Sequence, residues 1–87
     1  MADQEQHPMF RTKELSLATV LNMRGFCHQT IERRDKRTAI WVFDRSDSLM
    51  EIVDEFMAEE CLVEPKAFLR EAAGVRSEMY AVLADAA

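Results

Sequence analysis

Between Leu15 and Met23 the chain is apolar around most of a helical circumference. Leu15, Leu17, Ala18, Val20, Leu21 and Met23 leave only Ser16, Thr19 and Asn22 as a narrow polar stripe. A helix of this kind must be covered on several sides, either sandwiched inside the domain or partly shielded by a partner. The flanking residues predict a helix from Lys13 to Arg24. Thr12 is placed to cap it by accepting a bond from an orphaned backbone N–H. Glu14 falls in the first turn, where the helix dipole favours a carboxylate. Gly25 follows Arg24 and can take the left-handed conformation that closes a helix.

Two strands are predicted next, Phe26–Arg33 and Arg37–Asp44. The second holds Thr38, Ile40, Trp41, Val42 and Phe43, β-branched and aromatic types that suit a pleated surface. With Ala39, Trp41 and Phe43 on one face and Ile40 and Val42 on the other, both faces are apolar. Helices are therefore expected over at least part of each. The connection around Arg34, Asp35 and Lys36 has no glycine or asparagine, so a loop longer than a tight primed turn is expected.

A second helix is expected after Ser48, because Ser48 and Glu51 have the spacing of a capping box. Leu49, Ile52, Val53, Phe56 and Met57 recur at helical spacing, with Glu51, Asp54, Glu55 and Glu59 on the opposite face. Cys61, Leu62 and Val63 are a candidate third, edge strand. A third helix is expected from Pro65, which suits a first helical position. Phe68, Ala72, Val75, Met79 and Val82 form its stripe, widened by Leu69, Ala73 and Tyr80. Gly74 lies within this pattern, and close backbone packing is the expected reason.

The chain has 87 residues, with only two glycines and two prolines. One core uses most of that length, and regular elements take up most of the chain. The reading is a small α+β domain of order α-β-β-α-(β)-α, an antiparallel hairpin packed with three helices. It spans residues 10–87 behind a flexible tail, residues 1–9.

The same order and several residues within it resemble a family of short bacterial and phage proteins known only as a domain of unknown function. Phe10-Arg11-Thr12-Lys13-Glu14-Leu15 opens the first helix and Arg24-Gly25-Phe26 closes it. Trp41-Val42-Phe43-Asp44 ends the second strand. Val63-Glu64-Pro65-Lys66-Ala67-Phe68 leads into a helix that reaches Ser77-Glu78-Met79-Tyr80. The resemblance covers residues 10–82 and rests on caps, a helix stop and core aromatics. It implies the fold and an accessory role in phage or mobile-element settings, and it implies no activity.

Charge is distributed unevenly. Residues 24–45 carry six basic side chains against three acidic ones, whereas residues 46–87 carry three against ten. The net charge of −5 argues against generic binding to nucleic acid or membrane surfaces by the whole molecule. Two local surfaces are nevertheless candidates. Arg33, Arg34, Lys36 and Arg37 form a basic tip on the hairpin, able to meet phosphates or an acidic protein surface. Glu51, Asp54, Glu55 and Glu59 form an acidic helix face, able to imitate a row of phosphates before a basic partner. Each is also what a solvated turn or the wet side of an amphipathic helix looks like. The methionines Met23, Met50, Met57 and Met79 fit either core filler or an adaptable contact surface.

Recognisable catalytic and metal-binding patterns are lacking. His7, Cys27, His28 and Cys61 have no paired ligand spacing, and adjacent strand residues Cys27 and His28 would point to opposite faces. No nucleophile elbow, phosphate-binding glycine loop or HExxH motif is present. No catalytic residue, metal or cofactor is expected, and the chain is read as not an enzyme. Without an apolar leader or a membrane-length run, a cytoplasmic setting with reduced thiols is expected.

The resulting expectation is a non-enzymatic protein-interaction module. It would be a phage or mobile-element accessory protein inhibiting or regulating a host protein through charged surfaces. The alternative is a small nucleic-acid-binding module that uses the basic tip. Opposite charges in one chain are also compatible with a homodimer.

Overall fold

A computed structural model of the chain describes residues 8–85. The order is β1 (Met9–Thr12), α1 (Leu15–Met23), β2 (Thr30–Arg33), β3 (Ala39–Asp44), α2 (Asp47–Met57) and α3 (Pro65–Asp85). This is an α+β domain with three helices and one antiparallel sheet of strand order β1-β3-β2. Of the expected tail, residues 1–7 lie outside the described residues, and Met9 belongs to β1.

The central strand sets the topology. β3 has two edges of backbone donors and acceptors to satisfy, and β2 satisfies one. The other edge is taken by β1, with Phe10 opposite Phe43 and Thr12 opposite Trp41. Cys61–Val63, the expected third strand, forms none. The Leu62 carbonyl is instead turned toward Arg24 Nη2, 3.4 Å away. β2 is also shorter than the expected Phe26–Arg33, because Phe26 is drawn back onto the end of α1, where its N–H bonds the Leu21 carbonyl.

On one face of the sheet, Trp41 and Phe43 enter a common core with Leu17, Ala18, Val20 and Leu21 of α1. Leu49, Ile52 and Val53 of α2 and Val75 of α3 complete it. Every residue from Leu17 to Leu21 is buried, so α1 is sandwiched within the domain, which explains its apolar circumference. Thr19 is accommodated there because its hydroxyl donates to the Leu15 carbonyl at 2.8 Å. Each large aliphatic side chain buried in this way contributes about 1.5–3 kcal/mol of transfer free energy.

The other face differs from expectation. Val42 is buried and Ile40 half-buried, yet neither joins the helical core. Val42 is flanked in register by Arg11 and Thr30. Arg11 Nε lies 3.4 Å from Glu32 Oε1, linking the two outer strands. Register thus sets Arg11 and Thr30 beside Val42 on this face, where an arginine stem can shield a valine while its head stays wet.

The helix ends rest on different residues from those the sequence pattern favours. The Thr12 hydroxyl accepts from Glu14 N at 3.1 Å, but Thr12 is in β1 and Glu14 holds the N-cap position of α1 without a side-chain cap. For α2 the cap is Ser46 rather than Ser48, its hydroxyl accepting from Leu49 N at 3.1 Å. Ser48 and Glu51 are exposed inside the helix. α3 starts at Pro65 as expected, capped by Glu64, whose carboxylate accepts from Lys66 N and Ala67 N at 3.2 and 2.7 Å. Gly74 does not mark close packing: a Cβ there would meet nothing within 4 Å.

Candidate interaction site

The acidic surface is built by the amphipathicity of α2. With Leu49, Ile52 and Val53 held in the core, Glu51, Asp54 and Glu55 project on the opposite, exposed side. Glu59, expected on the same helix, lies beyond its end. Glu60 N bonds the Glu55 carbonyl at 2.9 Å and Glu59 N the Phe56 carbonyl at 3.0 Å, the two bonds of a Schellman closure. Glu59 takes the left-handed position of that closure, with φ 61°. Glu55 is partly engaged, its Oε1 lying 3.7 Å from Arg24 Nη1.

The reversal at Glu59 opens a cleft lined by Phe56, Met57, Glu59 and Cys61. Arg24 links the two segments that flank the reversal: besides Glu55, it reaches Cys61 Sγ at 3.7 Å and the Leu62 carbonyl at 3.4 Å. Apolar groups are left in water here. Met57 is 62% exposed and Leu62, next to Cys61 in the chain, is 86% exposed. The cleft and the exposure of Leu62 have no counterpart in the sequence reading. The signal available was the apolar stripe of α2 running on through Met57, followed shortly by Leu62. Of the four helical methionines singled out, only Met57 is exposed; Met50 and Met79 pack on the core.

The basic tip stands on a separate element. Arg33 ends β2, and Arg34, Lys36 and Arg37 occupy the loop before β3, all four exposed. Arg34 N bonds the Thr38 carbonyl at 2.8 Å, giving the longer loop that the missing glycine implied. Asp35 organises it. The N–H of Arg37 donates to its carboxylate at 2.8 Å, and this bond, then one from Thr38, holds its pKa below the ordinary 3.8. The tip is thus a built turn with one carboxylate set among its cations.

His28 is half-buried between elements rather than presented to a substrate. Its Nε2 lies 2.9 Å from Glu78 Oε1 of α3, and its Nδ1 lies 3.2 Å from the Asn22 amide nitrogen of α1. That amide also donates to the Ala18 carbonyl at 2.7 Å, which fixes its orientation. Both ring nitrogens are therefore occupied, and the ring stands edge-on to Phe43. The arrangement clasps α1 to α3. Cys27, in the irregular segment before β2, is exposed and Cys61 half-buried, and both are free thiols. Among the described residues no cluster of three potential metal ligands occurs, and His7 lies outside them.

A family model described as a domain of unknown function, DUF5659, matches residues 7–81. The chain belongs to this family. No curated protein and no solved structure matches it. No helix among the described residues is long and apolar enough to cross a membrane.

Proposed function

We propose that this DUF5659 domain is a non-enzymatic protein-interaction module. Its contact surface is the cleft lined by Phe56, Met57, Glu59 and Cys61 at the end of α2, together with the neighbouring Leu62 and the exposed carboxylates of α2. The observation that carries the reading is the exposure of Met57 on a cleft lined by Phe56, Met57, Glu59 and Cys61, with exposed Leu62 next to Cys61 in the chain. Exposed apolar groups edged by charge suit a macromolecular partner better than turnover of a small substrate. In its narrower form the proposal is a cytoplasmic phage or mobile-element accessory protein that inhibits or regulates a host protein. The resemblance to short phage and bacterial proteins motivates that form.

The test is a photo-crosslinking residue placed at Leu62 in the full chain and expressed in host cells. One stoichiometric adduct is expected, lost with Met57→Asp and with Glu51→Lys plus Asp54→Lys. Absence of any adduct above that of a probe at the exposed Lys13 would sink the reading.

A second reading, nucleic-acid binding, is favoured by the exposed cations Arg34, Lys36 and Arg37 on one ordered loop. It requires affinity that falls steeply with salt and disappears with Arg34→Glu plus Arg37→Glu. Equal retention of the native and reversed proteins on immobilised DNA and RNA at low salt rules it out.

A further inference from the structure

Resting on that reading, we infer that the partner presents a cationic amphipathic segment. One large apolar side chain enters the cleft between Phe56, Met57 and Cys61, and lysine or arginine side chains meet Glu51, Asp54 and Glu59.

The charge argument is local. Residues 51–64 contain Glu51, Asp54, Glu55, Glu59, Glu60 and Glu64 and no lysine or arginine. Two of these are used internally: Glu55 faces Arg24, and Glu64 caps α3. Glu51, Asp54, Glu59 and Glu60 form no ion pair among the described residues and are all exposed. Glu59 lines the cleft, Asp54 lies one helical turn before Met57, and Glu51 and Glu60 stand on the same segment; these unpaired like charges repel one another, and a cationic partner relieves that repulsion. An acidic or nucleic-acid partner would increase it.

Shape supplies the second half. The cleft has a volume of about 410 Å³, room for a leucine, phenylalanine or tryptophan side chain. Met57 at its wall is unbranched and adapts to the anchor it meets. An amphipathic helix laid into such a groove uses apolar anchors on one side and charges on the flanks. The chain's own basic segment lacks the anchor: Arg33-Arg34-Asp35-Lys36-Arg37 contains no apolar residue. A second copy offering its hairpin tip therefore matches the carboxylates but leaves the cleft unfilled.

The probe is a 14-residue helical peptide of leucine and lysine in an amphipathic repeat, titrated into the ¹⁵N-labelled full chain. Calorimetry gives the affinity and amide shifts give the site. Two control peptides replace every leucine by alanine or every lysine by glutamate. Saturable binding is expected, with the largest shifts over residues 56–62. Affinity should fall at least tenfold with the alanine peptide, with Leu62→Asp, and with Glu51→Lys plus Asp54→Lys, and should vanish with the glutamate peptide. Leu62, Glu51 and Asp54 are exposed, and an unchanged thermal melt confirms that each variant folds.

The inference is overturned by absence of saturation, by equal affinity for the alanine peptide, or by shifts centred on the exposed Leu69 and Tyr80 of α3. It is also overturned if sedimentation shows a dimer of the free chain that Leu62→Asp dissociates, because the occupant is then a second copy. A Leu62 adduct in cells together with failure of the peptide removes only the cationic identity. Failure of both removes the interaction surface itself.

Discussion

Gly25 and Glu59 occupy the same position in two copies of one helix closure. Phe26 N bonds the Leu21 carbonyl at 2.9 Å and Gly25 N the Asn22 carbonyl at 3.1 Å, as Glu60 and Glu59 do at the end of α2. Both central residues are left-handed, with φ 93° and 61°. A Cβ in that region crowds the following carbonyl and costs roughly 1–2 kcal/mol, a penalty that glycine avoids. Glu59→Gly is therefore expected to raise stability by about 1 kcal/mol. In a domain of this size that moves the melting temperature up by about 4–8 °C. Gly25→Ala is expected to lower it by a similar amount. A calorimetric melt of each variant decides the matter; a neutral or destabilising Glu59→Gly would show that the side chain does more than tolerate its backbone.

Gly74 is the opposite case, a glycine with no conformational duty. It sits mid-helix in α3 with open space where a Cβ would go. Gly74→Ala is expected to stabilise the chain by about 1 kcal/mol, the helix-propensity difference between the two residues. Urea denaturation should show a higher midpoint at an unchanged slope. A lower midpoint would contradict the open environment.

The two serines at the start of α2 separate cap from pattern. Ser46→Ala removes the acceptor for Leu49 N and should cost about 1 kcal/mol. Ser48→Ala, on the exposed side of the helix, should be neutral or slightly stabilising. Chemical denaturation of both variants checks the order, and a larger loss at Ser48 would restore the capping box that the sequence suggests.

Asp35 gives the hairpin tip a pH dependence. Its folded pKa lies below 3.8, held there first by the Arg37 N–H. A depressed carboxylate pKa means that the favourable interaction is fully present above the unfolded value and is lost as pH falls through the folded one. The loop should hold its shape from neutral pH down to about pH 4 and loosen below it. Amide exchange or chemical shifts of Arg37 and Thr38 report this directly. Asp35→Asn should remove the acid transition, and persistence of that transition in the variant would assign it to another carboxylate.

What the sequence determined by itself was local. The apolar girth of α1, the composition of β3, the stop at Gly25 and the start at Pro65 are each written in neighbouring residues, because helix periodicity, β-branching and special backbone angles act over a few positions. The acidic side of α2 and the basic loop were legible for the same reason. Tertiary structure decided what depends on distant partners. Met9–Thr12 is too short to show a period and becomes a strand only because β3 has a free edge beside it. Val42 is flanked in register by Arg11 and Thr30, which no linear pattern connects. Ser46 prevails over Ser48 because the turn out of β3 fixes where α2 begins. The cleft at Phe56, Met57 and Cys61 follows from the reversal at Glu59, and Arg24, far away in sequence, contacts both Glu55 and the returning chain at Cys61 and Leu62.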